Sequence, residues 1–238
     1  MYTLTLNLHG VVVKMLADSR EQEKWLKARH RLFLVPEDLG PSAGVPLTEI
    51  GLLLARHGLF SLHAAAFRNK GGLGILAVGE SGSGKSTVAF SALSSGYPYV
   101  CDDVALCRQD EHGILLLPFT NQIGIKLELD NTVYYDVLEH HPKDVFCQMS
   151  PDVVVFPHIT HRRVSTLEKV TDEKTIHHTL VENIFWGTDK SLRQEQAYLL
   201  GQLSRLPAYT LLLGKDHKQN PQVAIDLLNE VKHDDACY

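Results

Sequence analysis

Leu73-Gly74-Ile75-Leu76-Ala77-Val78 runs directly into Gly79-Glu80-Ser81-Gly82-Ser83-Gly84-Lys85-Ser86, and Thr87-Val88-Ala89-Phe90-Ser91-Ala92-Leu93 follows. The octet fits G-x-x-x-x-G-K-[ST] at every fixed position, and its flanks read as an apolar strand before and a helix after. Strand, glycine loop and helix together form a phosphate cradle. The glycines let the backbone curl so that its N–H groups turn inward, and the helix N-terminus favours negative charge. In that reading Gly79, Glu80, Ser81, Gly82, Ser83, Gly84, Lys85, Ser86 and Thr87 wrap the phosphates of ATP. Lys85 stands exposed in the loop and reaches the outer phosphates, and the Ser86 hydroxyl is a ligand for Mg²⁺.

Asp102-Asp103 lies seventeen positions beyond Lys85, after Tyr97-Pro98-Tyr99-Val100-Cys101. An apolar strand ending in two acids sets carboxylates at the carboxyl edge of a sheet, where a phosphate loop also opens. Neighbouring side chains on a strand point to opposite faces, so both acids serve one site only if the strand has just ended. Two carboxylates divide naturally between a metal and a proton. Asp103, with Ser86, is assigned to Mg²⁺, and Asp102 to the general base that takes a proton from an attacking hydroxyl. Without the nearby loop, a turn with two solvated acids would be the better reading. His63 stands in Leu59-Phe60-Ser61-Leu62-His63-Ala64-Ala65-Ala66, sixteen positions before Gly79. Alone it reads more readily as a satisfied core residue than as a catalytic one.

The stretch from Leu62 to Leu106 resembles the HPr kinase/phosphorylase family, in particular the shorter HPr-kinase-related proteins that accompany peptide-modification systems, such as lasso-peptide precursor kinases. The family's His before a strand, glycine loop and acidic pair read here as Leu62-His63-Ala64-Ala65, Gly79 to Ser86 and Val100-Cys101-Asp102-Asp103. The arginine-containing glycine signature of full HPr kinases is not found, and Pro118 to Leu127 carries Lys126 in that region. The resemblance implies a P-loop built into a mixed β-sheet flanked by helices, related to phosphoenolpyruvate carboxykinase. It also implies transfer of a phosphoryl group to a serine hydroxyl, with His63 joining Lys85 and Asp102 as a catalytic residue.

The bulk properties fit a globular enzyme. The chain has 238 residues, 44% hydrophobic and 21% charged, ordinary values for one domain with a small appendage. A net charge of −5 gives no basic footprint, so nucleic acid is not an expected partner. No apolar run reaches the ~18 residues that a membrane span needs, and the start lacks a basic leader, so a cytoplasmic, non-membrane protein is expected. Cys101, Cys107, Cys147 and Cys237 lack metal or disulfide spacing.

Residues 1–45 read as a β-rich appendage and linker, and 46–238 as the P-loop kinase domain. In the first part Tyr2, Leu4, Leu6 and Leu8 alternate to one side of a strand, Gly10 to Leu16 forms its partner, Glu21 to Arg31 a helix, and Pro36 to Pro46 a linker. In the second, Leu47 to Arg56 is a helix, 59–67 and 73–78 form a hairpin around Asn69-Lys70-Gly71-Gly72, and 85–95 is a helix. Strands are expected at 97–101, 114–117, Asp152 to Pro157 and 211–213, with helices within Thr171 to Tyr198 and from Pro221 to Lys232. His140-His141 and His177-His178 diverge too much to chelate a metal. Arg162-Arg163 reads as a solvated loop before it reads as an arginine finger. Trp25 and Trp186 read as packing residues.

The reading is an α/β, P-loop-containing, HPr-kinase-like protein with a small N-terminal β unit. It transfers the ATP γ-phosphoryl group, with Mg²⁺, to a serine-containing peptide or protein. A small-molecule kinase on the same scaffold and a nucleotide-dependent regulatory module are the alternatives. No N-K-x-D guanine motif and no L-S-G-G-Q signature is present. Homo-oligomerisation is left open.

Overall fold

The first hairpin turns on two residues with positive φ, His9 and Gly10. That geometry suits the twist of a two-residue hairpin. It joins β1 (Tyr2–Leu8) to β2 (Val11–Ala17) in antiparallel register, Leu6 facing Val13. Leu4, Leu6, Leu8, Val13, Met15 and Ala17 are buried, whereas Tyr2 is exposed. The computed structural model describes residues 2–36, 44–46, 49–128, 131–145, 148–187 and 189–232, without the side chains of 126–128 and 131. Most of the expected Pro36–Pro46 linker, together with Cys147 and Cys237, lies outside them.

Ser19 caps α1 (Arg20–Arg29) by accepting from the Gln22 N–H, with Glu21 and Glu23 in the first turn and Lys27 and Arg29 in the last, as the helix dipole favours. The helix stops two residues short of Arg31, which begins a 3₁₀ turn, Arg31–Phe33. β3 (Val45–Pro46) adds to β2, and α2 (Ile50–Ala55) follows, shorter than the helix expected from Leu47.

One correction bears directly on function. The expected strand 59–67 is two strands, β4 (Phe60–Leu62) and β5 (Ala64–Arg68), and they belong to different sheets. The break falls on His63, whose N–H donates to the Asn183 carbonyl instead of to a neighbouring strand. A mostly apolar run, broken only by Ser61 and His63, reads as one strand because the residues on both sides of the switch are buried.

The main sheet has six strands in the order β13-β14-β12-β6-β5-β7. β6 (Gly74–Val78) pairs antiparallel with β5, as the hairpin reading expects. α3 (Lys85–Ser94) follows the loop, and β7 (Tyr99–Cys101) lies antiparallel on β5. Two antiparallel steps bring β7 back to the direction of β6, so Cys101 and Val78 end at the same sheet edge. β8 (Ala105–Asp110) pairs antiparallel with β4 on one side and β9 (Gly113–Pro118) on the other, in a three-stranded sheet. β10 (Gln122–Glu128) and β11 (Asn131–Asp136) form a separate hairpin, followed by the short α4 (Val137–His140).

β12 (Val153–Ile159) pairs in parallel with β6, and β13 (Thr166–Val170) is an antiparallel edge. The helical stretch expected over Thr171–Tyr198 is two helices, α5 (Glu173–Glu182) and α6 (Lys190–Leu203). β14 (Ala208–Leu213) lies parallel to β12, and α7 (Asp216–Gln219) and α8 (Gln222–Asn229) close the described chain.

β6 is buried at all five positions because helices cover both of its faces. Ile75 and Ala77 pack with Val88, Ala89 and Ala92 of α3 and Ile225 and Leu228 of α8. Leu76 and Val78 pack on the other side with Leu180 of α5 and Leu199, Leu200 and Leu203 of α6. A third cluster unites Leu4, Leu6, Leu8 and Leu26 with Leu54, Leu59, Leu106 and Leu117. The N-terminal strands thus share a core with elements up to β9. Among the described residues no helix is long and apolar enough to cross a membrane.

Leu6 has no exposure and sits in that shared cluster. Leu6→Ala is expected to cost about 2–5 kcal/mol and to lower one cooperative thermal transition by calorimetry. A variant that melts in two steps, leaving the main transition where it was, would show that the N-terminal unit is energetically separate.

Candidate active site

The phosphate-loop sequence occupies the turn between β6 and α3, at the carboxyl edge of the sheet. Gly82 and Gly84 have φ of +85° and +110°, conformations in which a side chain is strained. A Cβ on Gly84 would also fall 2.4 Å from the Leu213 side chain. Position 84 therefore requires glycine for its dihedral, and any side chain there would also displace the tip of Leu213. The loop and α3 open on a cavity of about 580 Å³. Ser81, Gly82, Gly84, Lys85, Ser86 and Thr87 line it, whereas Gly79, Glu80 and Ser83 line a second cavity behind the loop.

Lys85 is not exposed, contrary to its expected place. It is buried, and its ammonium donates to the carbonyl oxygens of Gly79 at 2.6 Å and Glu80 at 2.8 Å. The reason is local. A lysine at the first position of α3 lies under the loop that precedes it, and the loop's own carbonyls supply the acceptors a desolvated ammonium needs. Lys85 still borders the cavity.

Asp102 and Asp103 follow the last residue of β7, so the strand has ended before the pair, as joint use of both acids requires. Asp103 has φ of +69°, which turns the chain sharply between the two side chains. Asp102 has no solvent exposure. Its Oδ2 accepts from the Gly124 N–H of β10 at 3.3 Å, and the Ser86 hydroxyl lies beside the carboxyl and favours its charged form. Its Oδ1 is buried without a partner. Burial pushes its carboxyl up to about 6, opposed by the Ser86 hydrogen bond and reinforced by the charge of Asp103. The first acid, not the second, is therefore the one in contact with Ser86.

Asp103 faces the other way. Its Oδ2 accepts from Arg29 Nη2 at 2.8 Å, and its Oδ1 lies 3.8 Å from His63 Nε2. The imidazole is half-buried, and burial, then the charge of Lys85, holds its pKa below the ordinary histidine value, with Asp103 opposing. His63, Asp102 and Asp103 all line the cavity with Lys85 and Ser86. The structure thus brings the three motifs together.

Arg29 is the residue that the sequence did not single out. It comes from the last turn of α1, and its guanidinium lies 5.2 Å from the Trp25 ring and 5.3 Å from the Tyr134 ring. The expected arginine candidates lie elsewhere: Arg162 pairs with Glu168 at 3.1 Å, and both are exposed. Trp25 and Trp186, read as packing residues, are each partly exposed, Trp25 over Arg29 and Trp186 donating to the Val181 carbonyl. His140 stacks on Tyr135, and His177 contacts the Ser204 hydroxyl. The side chain of Lys126 lies outside the described residues.

No family model matches the chain, and no curated protein matches it. Among solved structures it is similar to the HPr(Ser) kinase/phosphatase from Coxiella burnetii, at 16% sequence identity and a TM-score of 0.42, over 71% of this chain and 88% of that one.

The carboxyl of Asp102 gives a test by stability. Its folded pKa of about 6 lies above that of an unfolded aspartate. The folded state therefore holds a proton that the unfolded state releases, and stability falls as pH rises through that window. Asp102→Asn is expected to be more stable than the wild type at pH 7.5 in chelator, by about 1–3 kcal/mol. The gain should vanish below about pH 4, where both proteins carry a neutral group. Denaturant unfolding at the two pH values measures this. An Asn variant less stable than wild type at pH 7.5 would contradict the assignment of a strained, half-satisfied carboxylate.

Proposed function

We propose that the chain is an ATP-dependent kinase that transfers the γ-phosphoryl group to a serine hydroxyl on a peptide or small protein. The observation that carries this reading is the meeting of Lys85, Ser86 and Asp102 at the head of α3, with Asp103 and His63 on the same cavity. Phosphoryl transfer asks a protein chiefly to position its reactants and to stabilise charge. Those residue types supply a cradle, a cation and two carboxylates.

Mg²⁺ fits the residues present. A buried carboxylate with an unpartnered oxygen, held against a hydroxyl at a helix N-terminus, offers hard oxygen donors to a divalent cation. Ser86 and Asp102 would hold it. When bound, such an ion neutralises charge on the phosphates. This exchanges the two acids with respect to their sequence-based roles, and burial is the reason. Asp102 is fully enclosed, whereas the Asp103 side chain is 53% exposed and can meet an incoming hydroxyl. Asp103 accepts the acceptor's proton in this reading. His63, beside Asp103 and held neutral at pH 7, hydrogen-bonds the acceptor or the transferred group. The ammonium of Lys85 turns from the loop carbonyls to the outer phosphates.

The rim of the cavity favours a peptide acceptor. Tyr134 of β11 lines it and is 43% exposed, and the Asp103 side chain beside it is also open to solvent, so an extended chain would have room there. Main-chain hydrogen bonds would supply much of the affinity, which a free amino acid lacks. The decisive experiment offers ATP-Mg with a serine-ended peptide and, separately, with free serine, read by mass spectrometry. Phosphopeptide is the expected product. Efficient phosphorylation of free serine or another metabolite, with no peptide modified, would give preference to a small-molecule kinase.

Lys85→Ala is expected to remove transfer and also to lower the melting temperature, because two loop carbonyls lose a charged donor worth about 1–3 kcal/mol. Wild-type turnover in that variant would sink the kinase reading.

A further inference from the structure

We propose that Arg29 is a positioning residue for Asp103, and that α1 is thereby part of the transfer site. The proposal rests on the kinase reading above. Four observations meet at this residue. Its side chain is 9% exposed, yet it forms a 2.8 Å charge-assisted hydrogen bond to an aspartate that is half exposed on the cavity. Its guanidinium lies within cation–π distance of both the Trp25 ring of α1 and the Tyr134 ring of β11, which meet edge to face beside it. The backbone beneath it is clipped in place: the Asn121 N–H donates to the Arg29 carbonyl at 3.0 Å, and Asn121 Nδ2 to the Ala28 carbonyl at 3.1 Å. Asn121 directly precedes β10, whose Gly124 binds Asp102. The helix and the carboxylate pair are thus set in one frame.

The need for such a tether follows from the chain at Asp103. A non-glycine residue at φ of +69° costs energy unless its surroundings over-determine it. An isolated surface carboxylate would rotate freely. Arg29 commits Oδ2 and leaves Oδ1 turned toward His63 and the cavity. An arginine does this with a rigid planar fork, and a lysine, a flexible point charge, cannot replace it between the carboxylate and the two rings.

Arg29→Met keeps the stem against the two rings and deletes the charge. Its kcat for phosphoryl transfer is expected to fall about 10²-fold, the scale of a misplaced reacting group, with the Kd for ATP-Mg within about threefold of wild type. Arg29→Lys, which retains the charge if the Met variant fails to fold, is expected to lose kcat by about tenfold with KM for ATP unchanged. Because Arg29 acts through Asp103, Arg29→Met in an Asp103→Ala background is expected to cost less than about twofold further, whereas a merely structural residue would cost its full factor again. Wild-type kcat in both Arg29 variants, or full additivity with Asp103→Ala, overturns the proposal. A wild-type protein that binds no ATP-Mg and transfers nothing overturns the kinase reading, and the proposal with it. The two failures are told apart because one shows in the variants and the other in the wild type.

Discussion

A carboxylate without solvent sits where three elements converge. Asp102 ends the β7 edge of the main sheet, touches Ser86 at the first turn of α3, and takes an amide from β10. Burying an ionisable group is costly, and a chain keeps such a group only where packing leaves it no alternative or where a ligand will complete it. Around Asp102 the packing is complete and one carboxylate oxygen is left open to a ligand. Tyr99, Val100 and Cys101 lead into it fully buried, and its second oxygen has no protein partner. The rest of the site is arranged about this unfinished acceptor, with Lys85 under the loop and Asp103 turned out toward His63 and Arg29.

The fold explains how residues so far apart in sequence come to surround it. Parallel pairing of β12 with β6 and of β14 with β12, and the double antiparallel step to β7, bring loops to a single edge. The switch of the chain from β4 to β5 delivers His63 to that edge from the side. It leaves the histidine off both ladders, with its backbone tied to Asn183 at the end of α5.

The glycine loop, the flanking strand and helix, and the acid pair were legible because each depends on local chemistry: φ freedom at glycine, a helix start, a strand end. The β5–β6 hairpin and α8 were legible for the same reason. What was hidden depends on tertiary partners. The strand break at His63 lies within a mostly apolar run, and β10, although Ile123, Ile125 and Leu127 alternate there, was not among the expected strands. Lys85 was expected in water because a loop lysine usually is, and only the carbonyls of Gly79 and Glu80 bury it. Arg29 carried no signal at all. Its neighbour four positions back, Trp25, read as packing, and the Tyr134 ring that also approaches the guanidinium lies more than a hundred positions away.

That separation has a kinetic side. Arg29 and Asp103 are 74 positions apart, and the core under β1 and β2 is completed only by Leu106 and Leu117. Closing so long a loop pays entropy before any contact returns it, so contacts of this kind form late. The cluster around Leu4, Leu6 and Leu8 stays incomplete until Leu106 and Leu117 have joined it. The β1–β2 hairpin is therefore among the last elements to acquire its native surroundings, and its docking completes one of the hydrophobic clusters of the fold beside the α1 wall of the site.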